Sequence, residues 1–534
     1  MRRRQLLQAL PMVLAACART PEPAPAPASG AAARRPANAP AAIDADAPAT
    51  VLAARLARGE LSTRALTQFY LDRIGRLDRQ GPALHAVLEI HPEALAQADA
   101  LDRERAAGRI RGALNGLPVL IKDNIETHDR MMTTAGSRAL EGWYAPDDAP
   151  LVARLRAAGA VILGKSNLSE WANIRSTHSS SGWSARGGQC RNARDPLRSP
   201  SGSSSGSAVG VAAGLCALAV GTETDGSIVS PASVNGIVGL KPTLGLVSRR
   251  GIVPIAHSQD TAGPMARSVG DAALLLGVLC ARDPQDPGAA PDARFGRDYA
   301  GAAAGADLRG ARLGVLRSYF KDNAGLDALL DASLRTLRAA GAEIVDALPF
   351  TPDPKLDAAE LEVLLYELKA DLDVWMERLP PGFRVRSLAD VIRFDSEHAD
   401  VELAPFGQEL FERAQAKGSL QDAAYRRARA YCVRVARGTL DTLRRQHRLD
   451  ALLSLTGGPA WLIDTVNGDS FTGSCSTYPA VAGYPHLTVP AAMYRGLPVG
   501  LSFIGGAFDE ARLLRLGAAF ETARGPLPAL RAPA

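Results

Sequence analysis

Cysteine is scarce in this chain, with six among 534 residues. Setting Cys17 aside leaves Cys190, Cys216, Cys280, Cys432 and Cys475, an odd set at wide and irregular spacing. That excludes a disulfide framework, and the lack of any CxxC pair excludes the common zinc arrangements. Buried small apolar side chains are the expected role, with one disulfide left open in an oxidising compartment. Histidine is also sparse, at eight, and none sits in a diagnostic context. His178, beside Ser179 to Ser181, is the one to follow, as a cleft-lining or structural residue. Charge of one sign is lacking too. The net charge is +5, and Arg2, Arg3 and Arg4 supply three of it. With no basic motif interleaved with aromatics, nothing points to a nucleic-acid partner. Hydrophobic residues at 46% and charged residues at 22% are ordinary for a globular chain with a sizeable core.

The first seventeen residues read as an export signal. Arg2 to Arg4 form a positive n-region, and Leu6 to Ala16 form a short apolar stretch interrupted by Pro11. This falls well short of the roughly 20 residues a membrane-crossing helix needs, so it is a processing segment and not an anchor. Leu14-Ala15-Ala16-Cys17 resembles a bacterial lipobox, in which the cysteine is lipidated and becomes the new N-terminus. The plainer alternative is a secretory signal with a chance cysteine. If Cys17 is lipidated, Ala18 after it resembles an outer-membrane address. Residues 18–46 are rich in Pro and Ala, offer little apolar surface to bury, and read as a tether. The expected organisation is a signal segment at 1–17, a tether at 18–46 and one folded domain at 47–534. The expected location is the periplasm, with membrane attachment only through a lipid on Cys17.

From about residue 47 the chain alternates helical and strand-like stretches. Ser62 is placed to cap a helix carrying Leu66, Phe69, Tyr70 and Ile74. Helices are also expected at 151–158, 207–215, 268–280 and 510–521, and strands at 117–121, 160–163, 216–220, 312–316, 342–345, 451–455 and 499–504. A charged, helix-rich stretch covers about 355–448, with one extended helix at 421–445, and reads as an insertion shaping a cleft. Strands separated by helices predict an α/β layered domain around a mostly buried sheet. No internal repeat is present.

Three local features carry chemistry. Ser199 to Gly214 reads SPSGSSSGSAVGVAAG. A flexible linker would not run straight into an apolar helix and strand, so its Gly and Ser are read as making tight turns and presenting N–H and hydroxyl groups. Gly221 to Pro231 reads GTETDGSIVSP, a polar turn leaving a strand. A serine in such a turn can meet several backbone N–H groups aimed at one point, donors suited to an oxyanion. The bland alternative is a polar turn with capping serines. The third is Gly116 to Asn124, GLPVLIKDN, which places Lys122 at the end of a buried strand. A buried, unpaired lysine loses its charge and can act as a base; a lysine snorkelling to solvent is the alternative.

Together these features resemble the amidase signature family. In that family a lysine follows a GxPxxxKD-type strand, a relay serine lies in GGSSGGS, and the nucleophilic serine lies in GTDxGGSxRxP. The corresponding residues here are Lys122, Ser203 and Ser227, separated by 81 and 24 positions. The resemblance continues through Gly239-Leu240-Lys241-Pro242, 258–264 (SQDTAGP), Gly483-Tyr484-Pro485 and 496–501, and is weakest in 355–448. It implies a single large three-layer α/β/α domain with a central mixed β-sheet. It implies an amide hydrolase that works through a Ser-Ser-Lys triad and an acyl-enzyme, without metal or cofactor. It further implies a cis Gly202–Ser203 peptide and an oxyanion hole from the N–H groups of Thr224, Asp225, Gly226 and Ser227. Ser201 and Ser205 replace glycines, Asp225 stands where Gly is common, and Val229 where Arg is common. This variant, with 167–173 (NLSEWAN), resembles peptide amidases, which release ammonia from C-terminally amidated peptides. Asn173, Thr224 and Asp225 are then candidate substrate contacts.

Other readings stay in view. A broad aliphatic or aryl amidase and a silent ligand-binding lipoprotein are the functional alternatives. Gly202 to Gly206 also satisfies GxSxG with Ser204 as nucleophile, but no strand precedes it as that elbow requires. The glutaminyl-tRNA amidotransferase subunit shares the family's fold, and the export signal argues against it. Oligomeric state is not legible.

Overall fold

The computed structural model describes residues 42–528, apart from Lys321 and Ala347. The signal segment, Cys17 and all but the end of the expected tether lie outside these residues.

Among the described residues thirteen strands are formed: β1 (Val87–Ile90), β2 (Pro118–Lys122), β3 (Val161–Ser166), β4 (Trp183–Ser184), β5 (Gly188–Gln189), β6 (Leu218–Glu223), β7 (Val238–Lys241), β8 (Thr261–Ala266), β9 (Arg312–Val315), β10 (Glu343–Val345), β11 (Ala451–Leu455), β12 (His486–Tyr494) and β13 (Leu497–Ile504). Strands β4 and β5 make a small separate hairpin; the rest form one sheet in the order β1-β3-β2-β6-β8-β7-β12-β13-β11-β9-β10. The β3-β2-β6 and β11-β9-β10 sets are parallel and the other pairs antiparallel, so the sheet is mixed as expected. Every residue of β2, β3, β6, β7, β8, β11 and β13 is buried. Strands buried on both faces need cover on both, which gives the layered α/β arrangement. Helices Ser205–Ala212, Val229–Asn235, Val269–Leu279 and Glu510–Arg524 pack on these strands.

The local signals act as expected at many points. Ser62 caps helix Thr63–Arg73 by accepting the Ala65 N–H at 3.0 Å. The extended helix is Ala423–His447. Strands β1, β7, β8 and β12 of the large sheet have no counterpart among the expected strands, and in two of them, β8 and β12, a local signal opposes the strand. Each of these two contains a proline, Pro264 and Pro490, which lacks a ladder donor and argues locally against a strand. In β12 the pairing with β13 shifts register between Pro490 and Ala492.

Helix Ser205–Ala212 is made of small residues because it lies hard against its neighbours. A Cβ on Gly206 would sit 2.1 Å from the Ala86 carbonyl oxygen and 2.6 Å from Asn167 N, both backbone atoms. Gly206→Ala is therefore expected to destabilise the fold by about 3 kcal/mol or more in chemical denaturation. Gly438, exposed within helix Ala423–His447, has nothing within 4 Å of its would-be Cβ. Gly438→Ala should stabilise by up to about 1 kcal/mol.

The helix-rich segment contains Leu356–Met376, Leu388–Glu397, Glu409–Gln415 and Ala423–His447. It packs through two apolar clusters. One joins Leu365, Leu368, Trp375 and Phe411 to Trp143 and Trp171. The other joins Tyr366, Cys432 and Leu440 to Tyr478 and Val481.

Candidate active site

Strand β2 runs parallel beside β6, with Ile121 opposite Val220. That register carries Lys122, the last residue of β2, alongside the end of β6, where its side chain reaches Thr222. Lys122 has no exposed surface. Its Nζ contacts Ser203 Oγ at 2.8 Å, Ser204 Oγ at 3.0 Å, Thr222 Oγ1 at 2.8 Å and the Thr222 carbonyl at 3.2 Å. None of these partners is a carboxylate. Burial draws the amine down from its usual 10.5 to about 7, against the distant pull of Asp260 and Glu223. A large share of the lysine is thus neutral at neutral pH, with a lone pair to offer.

The hydroxyls around that lone pair are not equivalent. Ser204 Oγ donates to the Thr222 carbonyl at 2.9 Å, so its proton is committed. Ser204 can only accept from Lys122. Ser203 carries no such commitment and is the hydroxyl able to exchange a proton with the amine. The Gly202–Ser203 peptide is cis, as the resemblance implies. The Ser204 N–H donates to the Ser227 carbonyl at 3.1 Å, which ties the relay loop to the loop carrying Ser227.

That second loop leaves β6 and enters helix Val229–Asn235. Glu223 Oε2 pins it by accepting the N–H groups of Ile228 and Val229 at 2.8 and 3.1 Å. Gly226 makes the reversal with φ of +76°, the left-handed region that glycine enters freely. The N–H groups of Thr224, Asp225, Gly226 and Ser227 meet no acceptor among the described residues. All four residues line a cavity of about 820 Å³. Backbone N–H donors left free beside a serine are what an acyl-transfer oxyanion needs.

Ser227 thus lines the cavity, while Lys122 and Ser203 are fully buried and do not. Asn173, Thr224 and Asp225, the candidate substrate contacts, all line it. Asn173 sits at φ of +76°, in a strained turn with Trp171 and Ala172, and its Oδ1 has no partner. Thr224 Oγ1 donates to Asp260 Oδ1 at 2.6 Å. The replacement serine Ser205 is accommodated by donating to the Ser201 carbonyl at 2.6 Å. His178 is exposed, pairs through Nδ1 with Thr177 Oγ1, and does not line the cavity. The five described cysteines are free and buried, so none of them forms a disulfide.

The acidic side of the cavity has no counterpart in the sequence reading. Asp353, Asp357 and Asp469 line it alongside Asp225, and no Lys, Arg or His does so among the described residues. Asp357 opens the first turn of helix Leu356–Met376, and Asp469 accepts from Ser181 and Trp461. Charge in a helical stretch usually marks a solvated face, so these positions carry no local signal. Asp260 lies in the quoted 258–264 motif, but only the fold reveals its hold on Thr224.

Residues 65–514 match the amidase family. A crystal structure of native peptide amidase from Stenotrophomonas maltophilia is 49% identical, with a TM-score of 0.86, covering 91% of this chain and 98% of that one. A probable amidase of Arabidopsis thaliana is 40% identical over 488 residues, 89% of this chain and 90% of its own. A glutamyl-tRNA(Gln) amidotransferase subunit from Rhodococcus erythropolis is 37% identical over 497 residues, 90% and 98% of the two chains. The chain belongs to the amidase family, the amidase signature hydrolases that cleave amide C–N bonds.

Proposed function

We propose that the protein releases ammonia from the C-terminal carboxamide of peptides, with Ser227 as nucleophile, Ser203 as relay and Lys122 as base. The observation that carries this reading is the buried contact between Lys122 and Ser203, free of any carboxylate, on a loop tied to Ser227 by the Ser204 N–H. Ser227 Oγ attacks the carbonyl carbon as its proton passes to Ser203, whose own proton passes to Lys122. The carbonyl oxygen gains the negative charge and is held by the N–H groups of residues 224–227. The relay then runs backwards, protonating the nitrogen, and ammonia leaves as the C–N bond breaks. Water repeats the sequence on the ester, giving the carboxylate and free Ser227.

Support for a peptide substrate comes from the cavity. At about 820 Å³ it is larger than a simple aliphatic amide requires. The Stenotrophomonas relative is itself a peptide amidase. Helix Leu356–Met376 contributes Asp357 and Leu364 to the wall, in keeping with a cleft-shaping role for the 355–448 segment. The four carboxylates favour basic over acidic peptide amides and repel the carboxylate product.

An ammonia-release screen across peptide, aliphatic and aryl amides tests this. N-acylated lysine amide should exceed glutamate amide in kcat/KM by about tenfold at low salt, with the gap shrinking at high salt. Turnover of aryl or aliphatic amides alone would replace the peptide reading with the broad amidase. A serine-directed fluorophosphonate that labels nothing would favour the silent binding protein. The same proposal places the enzyme outside the cytoplasm, on the strength of Arg2 to Arg4 and Leu14 to Cys17. Intact mass of membrane-derived protein tests lipidation at Cys17.

A further inference from the structure

Position 225, where the family commonly has glycine, carries a carboxylate on the oxyanion loop. Asp225 Oδ2 accepts from Thr477 Oγ1 at 2.8 Å, and the Ser476 hydroxyl lies beside it. Its Oδ1 is buried and receives no conventional donor. What meets the Asp225 side chain within hydrogen-bond contact is a second carboxyl, Glu360 of helix Leu356–Met376. Glu360 Oε1 also accepts from Gln259 Nε2 at 2.7 Å, and the same amide nitrogen donates to the Thr224 carbonyl at 3.3 Å. One helical residue therefore touches the oxyanion loop twice, at the Asp225 side chain and, through Gln259, at the Thr224 backbone.

Two carboxylates in contact in a buried site cannot both be ionised. We propose that Asp225 and Glu360 share one proton, and that this acid pair is a positioning device that holds the oxyanion loop in its working geometry. The inference rests on the triad reading above. The setting favours retention of that proton. Burial raises Glu360 well above its usual range, with Asp225 adding to the effect, and burial raises Asp225 as well. The neighbouring titratable groups are Asp357 on the same helix, Glu223 on β6, Lys241 on β7, and Tyr319, Cys475 and Cys432. Lys241 is the single cation in this set, and Glu223 is the carboxylate that acts on it most strongly. Loss of the shared proton sets like charges against each other and drives Asp225 away, carrying the Thr224 and Asp225 N–H groups with it. Activity then falls on the alkaline side while substrate binding is largely kept.

The test is the pH dependence of kcat and KM in full-length wild type, Glu360→Gln, Glu360→Ala and Asp225→Asn, with circular dichroism confirming the fold. Glu360→Gln and Asp225→Asn each supply a permanent donor. Both should lose the alkaline fall, and Glu360→Gln, which leaves the oxyanion loop itself unaltered, should stay within about threefold of wild-type kcat at neutral pH. Glu360→Ala removes the donor and should lower kcat about 10- to 100-fold with little change in KM. An alkaline fall unchanged in both conservative variants would overturn the proposal, as would Glu360→Gln as impaired as Glu360→Ala. A wild type that releases no ammonia from any amide fails the functional reading instead, so the two failures are distinguishable.

Discussion

Ser227→Ala is expected to abolish ammonia release, lowering kcat by about a thousandfold or more, since attack, acyl transfer and hydrolysis all pass through this one oxygen. Substrate should still bind, because the cavity wall and the N–H groups of residues 224–227 remain. Ser204→Ala is the informative contrast. Ser204 matches GxSxG by sequence, yet its hydroxyl is buried, donates to the Thr222 carbonyl, and accepts from Lys122 and the Thr222 N–H. It has no proton free for chemistry and no face on the cavity. Its removal is expected to cost less than about tenfold in kcat, with fluorophosphonate still attached to Ser227 by mass spectrometry. Label on Ser204, or activity that survives in Ser227→Ala and dies in Ser204→Ala, would overturn the assignment.

The second large effect belongs to Lys122. As a base it must be neutral, and burial brings it to about 7 from 10.5. The sign follows directly: protonation below about pH 7 removes the base, so kcat/KM should fall about tenfold per pH unit on the acid side and level off above it until the Asp225–Glu360 pair loses its proton. Lys122→Ala should be nearly as damaging as Ser227→Ala, because the relay acts as a unit. Lys122→Arg should not rescue, since a guanidinium cannot give up its proton in this range. A pH series across roughly pH 5 to 9 reads this out. A limb at the ordinary lysine value, or none at all, would show that Lys122 is not the base.

These two residues are legible in the sequence because their signals are local. A lysine closing an apolar strand and a serine in a polar turn after another strand each stand in a few residues of sequence, and the parallel pairing of β2 with β6 then brings Lys122 and Thr222 together. The family resemblance adds Ser203, and the structure explains why it, and not Ser204, has a proton to move. What is not legible depends on distance along the chain or on local contradiction. Pro264 and Pro490 argue against the strands that contain them, and the sheet overrides that preference through its other backbone bonds and burial. Glu360 reads as one acid in a charged helix until folding sets it against Asp225, 135 residues earlier. Asp353, Asp357 and Asp469 join one wall from separate segments for the same reason.

The buried cysteines have a practical consequence. Burial pushes Cys216 and Cys475 to about 12 and Cys432 to about 11, and raises Cys190 and Cys280 as well. Thiolate is the form that alkylating dyes attack, so these five side chains are silent towards maleimides at neutral pH. Val466 is 87% exposed, in the loop between Trp461 and Phe471, which both line the cavity. Val466→Cys would supply the one solvent-facing thiol among the described residues. Within the described residues it offers a single-site fluorescent reporter near the cavity without stripping any native cysteine from the core.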